Sequence, residues 1–172
     1  MPHGVLDRAT IQALALGNPP LLEEYLSLEE QLQPNGVDLT LRQVARLASA
    51  GWMGSAAAER SISEAVILEF DRGGWVSLSP GPYLVTFNEV VNLPLGLMAL
   101  GRTRSSLLRS GVSLHTAVWD AGYRGRSQSL MVVHHPLGYR LQRGARIMQL
   151  VFLSLTRADS QGYLGRFLGE NL

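Results

Sequence analysis

Residues 145–155 read ARIMQLVFLSL. Arg146 and Gln149 interrupt a run that is otherwise apolar on nearly every position, and the turn signal QRG (142–144) precedes it. A half-buried strand alternates apolar with polar, whereas a short continuous apolar run marks a strand covered on both faces. Covering both faces of a strand in a chain of 172 residues predicts a subunit interface along it.

The same texture extends back to residue 65. AVILEF, WVSL, YLVTF, VVNLPL and SLMVV are short runs rich in β-branched and aromatic residues. DRGG, SPGP and HHPLG punctuate them as turns. Many short strands with turn signals predict a mainly β barrel or sandwich. Short N-terminal helices should precede it. Asp7 is placed to cap a helix carrying Ile11, Leu14 and Leu16, which GNPP (17–20) stops. LLEEYLSLEEQL (21–32) reads as a second helix, and the spacing of Leu41, Val44 and Leu47 predicts a third over 41–50. GWMGSAAAERS (51–61) reads as a loop. No repeat, linker or low-complexity tract divides the chain, so residues 1–172 should form one domain.

Composition excludes several classes. With 46% hydrophobic and 17% charged residues, there is material for a core and too little charge for disorder. Without cysteine there are no disulfides and no thiolate metal ligands. No leader-like basic-apolar start and no membrane-length apolar run is visible, so the expected location is cytoplasmic, with no membrane partner. The net charge of +1 hides an asymmetry: residues 1–100 hold 5 Arg against 11 acids, and residues 101–172 hold 10 Arg against Asp120, Asp159 and Glu170. All 15 basic residues are arginine, whose planar fork suits phosphate. Either these arginines are solvated, or a polyanion is their partner. No basic helix, zinc finger or aromatic-basic motif points to nucleic acid.

Phosphate loops of the GxxxxGK[ST] type, GxGxxG turns and GxSxG elbows are all missing. Ser113, His115 and Asp120 have no triad logic in their spacing, and adjacent His134 and His135 would point to opposite faces of a strand. What remains is dispersed. PNGVDL (34–39) puts Asp38 just after a turn. GRTRSSLLRSG (101–111) offers Arg102, Arg104, Ser105, Ser106 and Arg109, which make either a phosphate cradle or a polar surface loop. WDAGYRG (119–125) sets Asp120 among glycines that allow close backbone approach. Asp120 is either a general base for water, a turn former or an ion-pair acid. Gln149 in its apolar run needs hydrogen-bond partners, from a neighbouring strand or from a phosphate.

Taken in order, QLQPNGVDL, RTRSSLLRSG, WDAGYRG and RGARIMQLVF resemble the first four motifs of the dUTPase and dCTP deaminase superfamily. LDRATIQAL and EVVNLP resemble its deaminase-like, archaeal-type branch, so the likeness covers nearly the whole chain. The resemblance implies a distorted β-barrel of the β-clip type, assembled as a homotrimer with active sites between subunits. It implies hydrolysis of dUTP to dUMP and pyrophosphate, with Mg2+ carried on the triphosphate. By motif, Asp120 would activate water for attack on the α-phosphorus. Tyr123 would pack on the deoxyribose, and the hairpin with Val112 and Val118 would read the base. Arg104, Ser105, Ser106, Arg109 and Gln149 would hold phosphates, and Asp38 would support the metal through water. Phosphoryl chemistry of this kind is mainly positioning and charge neutralisation.

Two departures matter. Deaminases of the superfamily carry a glutamate ten positions after the motif aspartate; here that position is Leu130, and neither Ser129 nor Met131 supplies a carboxylate. A monofunctional dUTPase is therefore expected over a bifunctional dCTP deaminase–dUTPase, with a related pyrophosphatase acting on another deoxynucleotide as the other alternative. The end of the chain, QGYLGRFLGENL (161–172), matches the family's glycine-rich arm loosely. It is either a flexible arm, with Arg166 on phosphate and Phe167 as a lid, or an ordinary terminus.

Overall fold

The computed structural model describes residues 4–56 and 58–172. Asp7 caps helix α1 (Arg8–Ala15), accepting a hydrogen bond from the Thr10 N–H at 2.8 Å. A short strand β1 (Leu22–Glu23), a single turn α2 (Leu28–Gln31) and β2 (Leu32–Gln33) lead into the long strand β3 (Gly36–Leu47). Then follow β4 (Trp52–Met53), β5 (Arg60–Ser61), β6 (Ala65–Ile67), β7 (Trp75–Leu78), β8 (Gly81–Phe87), β9 (Val90–Asn92) and β10 (Leu97–Thr103). Helix α3 (Ser105–Arg109) separates these from β11 (Val112–His115), β12 (Val118–Trp119), β13 (Arg124–Gly125), β14 (Gln128–Val133), β15 (Tyr139–Gln142) and β16 (Arg146–Ser154).

The main sheet has nine strands. Its path runs β11-β14-β8-β3-β16-β10-β12, and β2 and β6 also pair with β3. It curls into a half-barrel. Three smaller sheets complete the fold: β1-β9-β13, β15-β7 and β4-β5. The core fills the curl with Leu39, Leu41, Phe87, Leu97, Met148 and Phe152, all fully buried. Burying each such side chain contributes about 2 kcal/mol.

The expected β-rich architecture is present, and several local expectations need correction. Residues 41–50 are not helical; 41–47 form the second half of β3. A bulge between Leu41 and Gln43 places Leu41 and Val44, three apart, both in the core. The inserted residue turns a period of two into a helix-like spacing. Residues 21–32 hold one helical turn between two short strands rather than a continuous helix. The stretch 51–61 contains the β4–β5 pair instead of only loop. Gln149 is half-buried, not enclosed, because β16 alternates over most of its length. Past Leu150 the β3 side of β16 is taken over by the N-terminal segment, through a Val5–Leu153 bridge and a Leu6 N–H to Phe152 carbonyl bond.

The arginine surplus also finds partners within the chain. Arg124 and Arg126 pair with Glu23 and Glu24 at 3.0 and 2.8 Å, and Arg140 and Arg143 lie over the Trp75 and Phe70 rings. The side chains of Arg102, Arg109, Arg157 and Arg166 form no ion pair or hydrogen bond among the described residues.

Candidate active site

Two groups of candidate residues emerge, at opposite ends of β10. The first is built on the centre of the sheet. Asp38 on β3 pairs in register with Gln149 on β16, and Gln149 with Arg102 on β10. Arg104 follows the end of β10, and its Nε lies 3.4 Å from the Asp38 carboxylate; Arg146 Nη1 lies 3.9 Å from the same oxygen. Gln33 donates to Asp38 at 3.2 Å. Burial pushes the Asp38 carboxyl above the usual carboxylate range, and the two guanidinium groups partly offset that rise. Arg146 and Gln149 share this face despite being three apart, because a bulge intervenes between Arg146 and Met148. Ser105, Ser106 and Arg109, on and beside α3, are exposed next to this group.

A buried carboxylate props β3 from beneath. Glu89 is completely buried and accepts from the Thr40 N–H at 2.9 Å, the Thr40 hydroxyl at 2.5 Å and the Gln31 amide at 2.8 Å. The same Gln31 amide donates to the Asp38 carbonyl at 2.8 Å. Burial raises the Glu89 carboxyl, with the Thr40 and Gln31 hydrogen bonds opposing.

The second group surrounds the turn after β12. The Tyr123 N–H donates to the Asp120 carbonyl at 3.1 Å, closing the turn, and Gly122 takes a left-handed φ of 81° within it. Asp120 is exposed and forms no ion pair with any described residue; Arg104 pairs with Asp38, and Arg124 and Arg126 with Glu23 and Glu24. Beside Asp120 lies a cleft of about 470 Å3 lined by Val118, Trp119, Tyr123, Gln128, Phe167 and Glu170. A pocket of this size suits a small molecule. The indole N–H of Trp119 is buried without an acceptor among the described residues. Tyr123 is buried; its hydroxyl donates to Glu170 at 2.8 Å, and its ring meets Tyr163 edge-on at 5.8 Å. Burial, reinforced by Glu170, pushes the Tyr123 phenol up, and burial likewise raises the Glu170 carboxyl.

The C-terminal segment completes this cleft. Tyr163 N–H donates to the Ala121 carbonyl at 2.7 Å, and Gly169 N–H to the Arg124 carbonyl at 2.7 Å. The Glu170 carbonyl accepts from the Arg126 N–H at 2.9 Å, and the Asn171 amide donates to the Arg126 carbonyl at 2.9 Å. Phe167 therefore lines the cleft, while Arg166 stays exposed beside it.

Of the other candidates, Val112 is in the core opposite Val133, away from the cleft that Val118 lines. Ser113 Oγ lies 3.0 Å from His115 Nε2 and 2.9 Å from His134 Nε2, with Asp120 taking no part. His135 diverges, its ring accepting from the Leu137 N–H. Leu130 pairs with His115 and Leu84 across its neighbouring strands. Sequence reasoning missed three residues: Arg146, hidden by its bulge, and Tyr163 and Glu170, whose places depend on how the tail docks.

Register sets the distance between the two groups. Val118 and Trp119 pair with Leu100 and Ala99, so Asp120 sits level with Met98. Arg102 pairs with Gln149, and Arg104 lies two residues further. Four to six residues at about 3.3 Å each separate the groups by ~13–20 Å along β10.

The chain is similar to known proteins along nearly its whole length. A probable deoxyuridine 5′-triphosphate nucleotidohydrolase of Methanosarcina mazei is 46% identical over 167 residues, covering 97% of this chain and 98% of that protein. A protein of the same name from Archaeoglobus fulgidus is 46% identical over 152 residues, 88% of this chain and 89% of its own. Among solved structures, the 2′-deoxycytidine 5′-triphosphate deaminase of Agrobacterium tumefaciens shares the fold, with a TM-score of 0.68 at 24% identity over 90% of this chain and 49% of that one. Residues 5–155 match the family described as dCTP deaminase-like, and with the relatives above this shows that the chain belongs to that family.

Proposed function

We infer that this protein hydrolyses dUTP to dUMP and pyrophosphate in a homotrimer whose active sites lie between subunits. Relatives at 46% identity named as probable dUTP nucleotidohydrolases support the substrate. The observation that carries the assembly is the separation along β10. One chain holds an Asp120–Tyr123 cleft at one end and an Asp38–Arg104–Gln149 group at the other, ~13–20 Å apart. Two copies bring the cleft of one against the cationic group of the next, and a closed ring supplies three such sites.

In that site Tyr123 packs against the deoxyribose, and Val118 and Phe167 flank the base. Arg104, Ser105, Ser106, Arg109 and Gln149 hold the phosphates, joined by Arg166 from the tail. Asp120 takes a proton from water as the water oxygen bonds to the α-phosphorus. The bond from that phosphorus to the bridging oxygen breaks, and pyrophosphate leaves. Holding the reactants in line and neutralising charge supply most of the rate.

Among the described residues no group of three or more acids or histidines forms a cage for a cation. One carboxylate, Asp38, beside phosphate-binding groups fits Mg2+, which keeps its waters and takes few protein ligands. Asp38 would hold it through water, and when bound it would neutralise charge on the triphosphate. Leu130 leaves the base without the carboxylate that deamination needs, so dCTP should not yield uracil nucleotides.

Mixing two inactive variants tests both substrate and assembly. Asp120→Asn and Arg104→Ala should each lose pyrophosphate release from dUTP. Unfolded and refolded together in equal amounts, they should regain activity in about a quarter of the sites, those in which both halves are intact. No recovery, with trimers verified by light scattering, would contradict the shared site.

A further inference from the structure

Glu170 lies beyond the residues that the family model matches, yet its carboxylate lines the Asp120 cleft. It accepts from the Tyr123 hydroxyl at 2.8 Å. Its backbone is fixed on both sides: Gly169 N–H donates to Arg124, Arg126 N–H donates to the Glu170 carbonyl, and Asn171 bonds Arg126. Glycine at 125 makes the approach feasible. A Cβ there would lie 2.8 Å from the Tyr123 hydroxyl and 3.2 Å from the Glu170 Cγ. The ring of Tyr123 is thus held at its hydroxyl by Glu170 and at its edge by Tyr163. A phenol free to turn about its side-chain bonds would yield to a bulkier sugar; one pinned at the far end cannot.

We propose that Glu170 is a positioning residue for sugar discrimination: by holding the Tyr123 hydroxyl it keeps the ring where a 2′-hydroxyl would clash. This role presupposes that the cleft takes dUTP. The hydroxyl of Tyr123 needs an acceptor, not a charge, so glutamine serves and alanine does not.

Hydrolysis of dUTP and UTP with Mg2+ by the full chain tests it. The readout is the ratio of kcat/KM for dUTP to that for UTP. Glu170→Ala should lower this ratio about tenfold, the worth of one buried hydrogen bond. Glu170→Gln should restore the wild-type ratio. In a Tyr123→Phe background, Glu170→Ala should change the ratio no further. An unchanged ratio in Glu170→Ala, or an equal loss on both substrates, would overturn the role. If Glu170→Ala does not fold, Tyr123→Phe removes the same bond from the other side, and an unchanged ratio there would overturn it equally. Absence of dUTP turnover in the wild type would instead refute the substrate, and is distinguished by that control.

Discussion

Gly122 and Gly162 cross backbone against backbone. A Cβ on Gly122 would lie 2.9 Å from the Gly162 Cα and 3.0 Å from the Tyr163 nitrogen. The turn that presents Asp120 and the start of the C-terminal segment are therefore packed as one unit. Gly122→Ala adds a clash to the strain of φ 81°, a combined cost of about 1–3 kcal/mol. The expected result is release of residues 162–171 from the 121–126 edge. Amide hydrogen exchange at Tyr163 and Gly169 reads it directly: both should lose protection while the strands of the main sheet keep theirs.

Asp120→Asn keeps the size of the side chain and removes its basicity. Turnover of dUTP should fall about 10^2–10^4-fold, as for loss of a general base. Affinity for a non-hydrolysable dUTP analogue, measured by calorimetry, should stay near that of the wild type, because Asp120 pairs with no described cation whose release would disturb the site.

Glu89 is expected to matter for stability. Glu89→Ala strands the Thr40 N–H, its hydroxyl and the Gln31 amide in the core, at a cost of about 3 kcal/mol. Thermal unfolding should fall by several degrees.

The pH dependence of Glu89 follows from its sign. Its carboxyl is raised by burial, so the folded state binds its proton more readily than the unfolded chain. That contribution is full below the ordinary carboxylate pKa and is lost as pH rises through the raised value. The margin in stability of wild type over Glu89→Gln should therefore shrink in denaturant titrations as pH rises above the ordinary carboxylate pKa of about 4.3.

Gly36 packs against the side chain of Gln149. A Cβ there would meet the Leu150 carbonyl at 2.5 Å and the Gln149 amide at 2.9 Å. Gly36→Ala should displace Gln149 and raise KM for dUTP several-fold with a smaller change in kcat. That split reports lost binding rather than lost chemistry.

Much of this architecture was legible in the sequence. The near-continuous run at 145–155 marked a strand, and β16 lies between β3 and β10, but it alternates in burial instead of being covered on both faces within the chain. Asp7 capped its helix as its position required. What was not legible traces to bulges and long-range docking. A one-residue insertion at Leu41–Gln43 imitated a helical period, and another at Arg146–Met148 hid Arg146 from the Asp38 group. The arginine surplus pointed to a polyanion, but Glu23 and Glu24, about a hundred residues away in sequence, absorb Arg124 and Arg126. Glu170 carried no local signal, because its role depends on where the tail lands.

Strand β10 acts as a ruler. Asp120 hangs from one end through β12, and Arg104 extends from the other, so their spacing is counted in backbone residues and not adjusted by side chains. Loops at either end are free to change without altering the span. An insertion within β10 would instead lengthen the gap by about 3.3 Å and turn the far group to the opposite face. The count of residues in this strand thus fixes how far apart one chain holds its two groups, whatever happens in the loops that flank it.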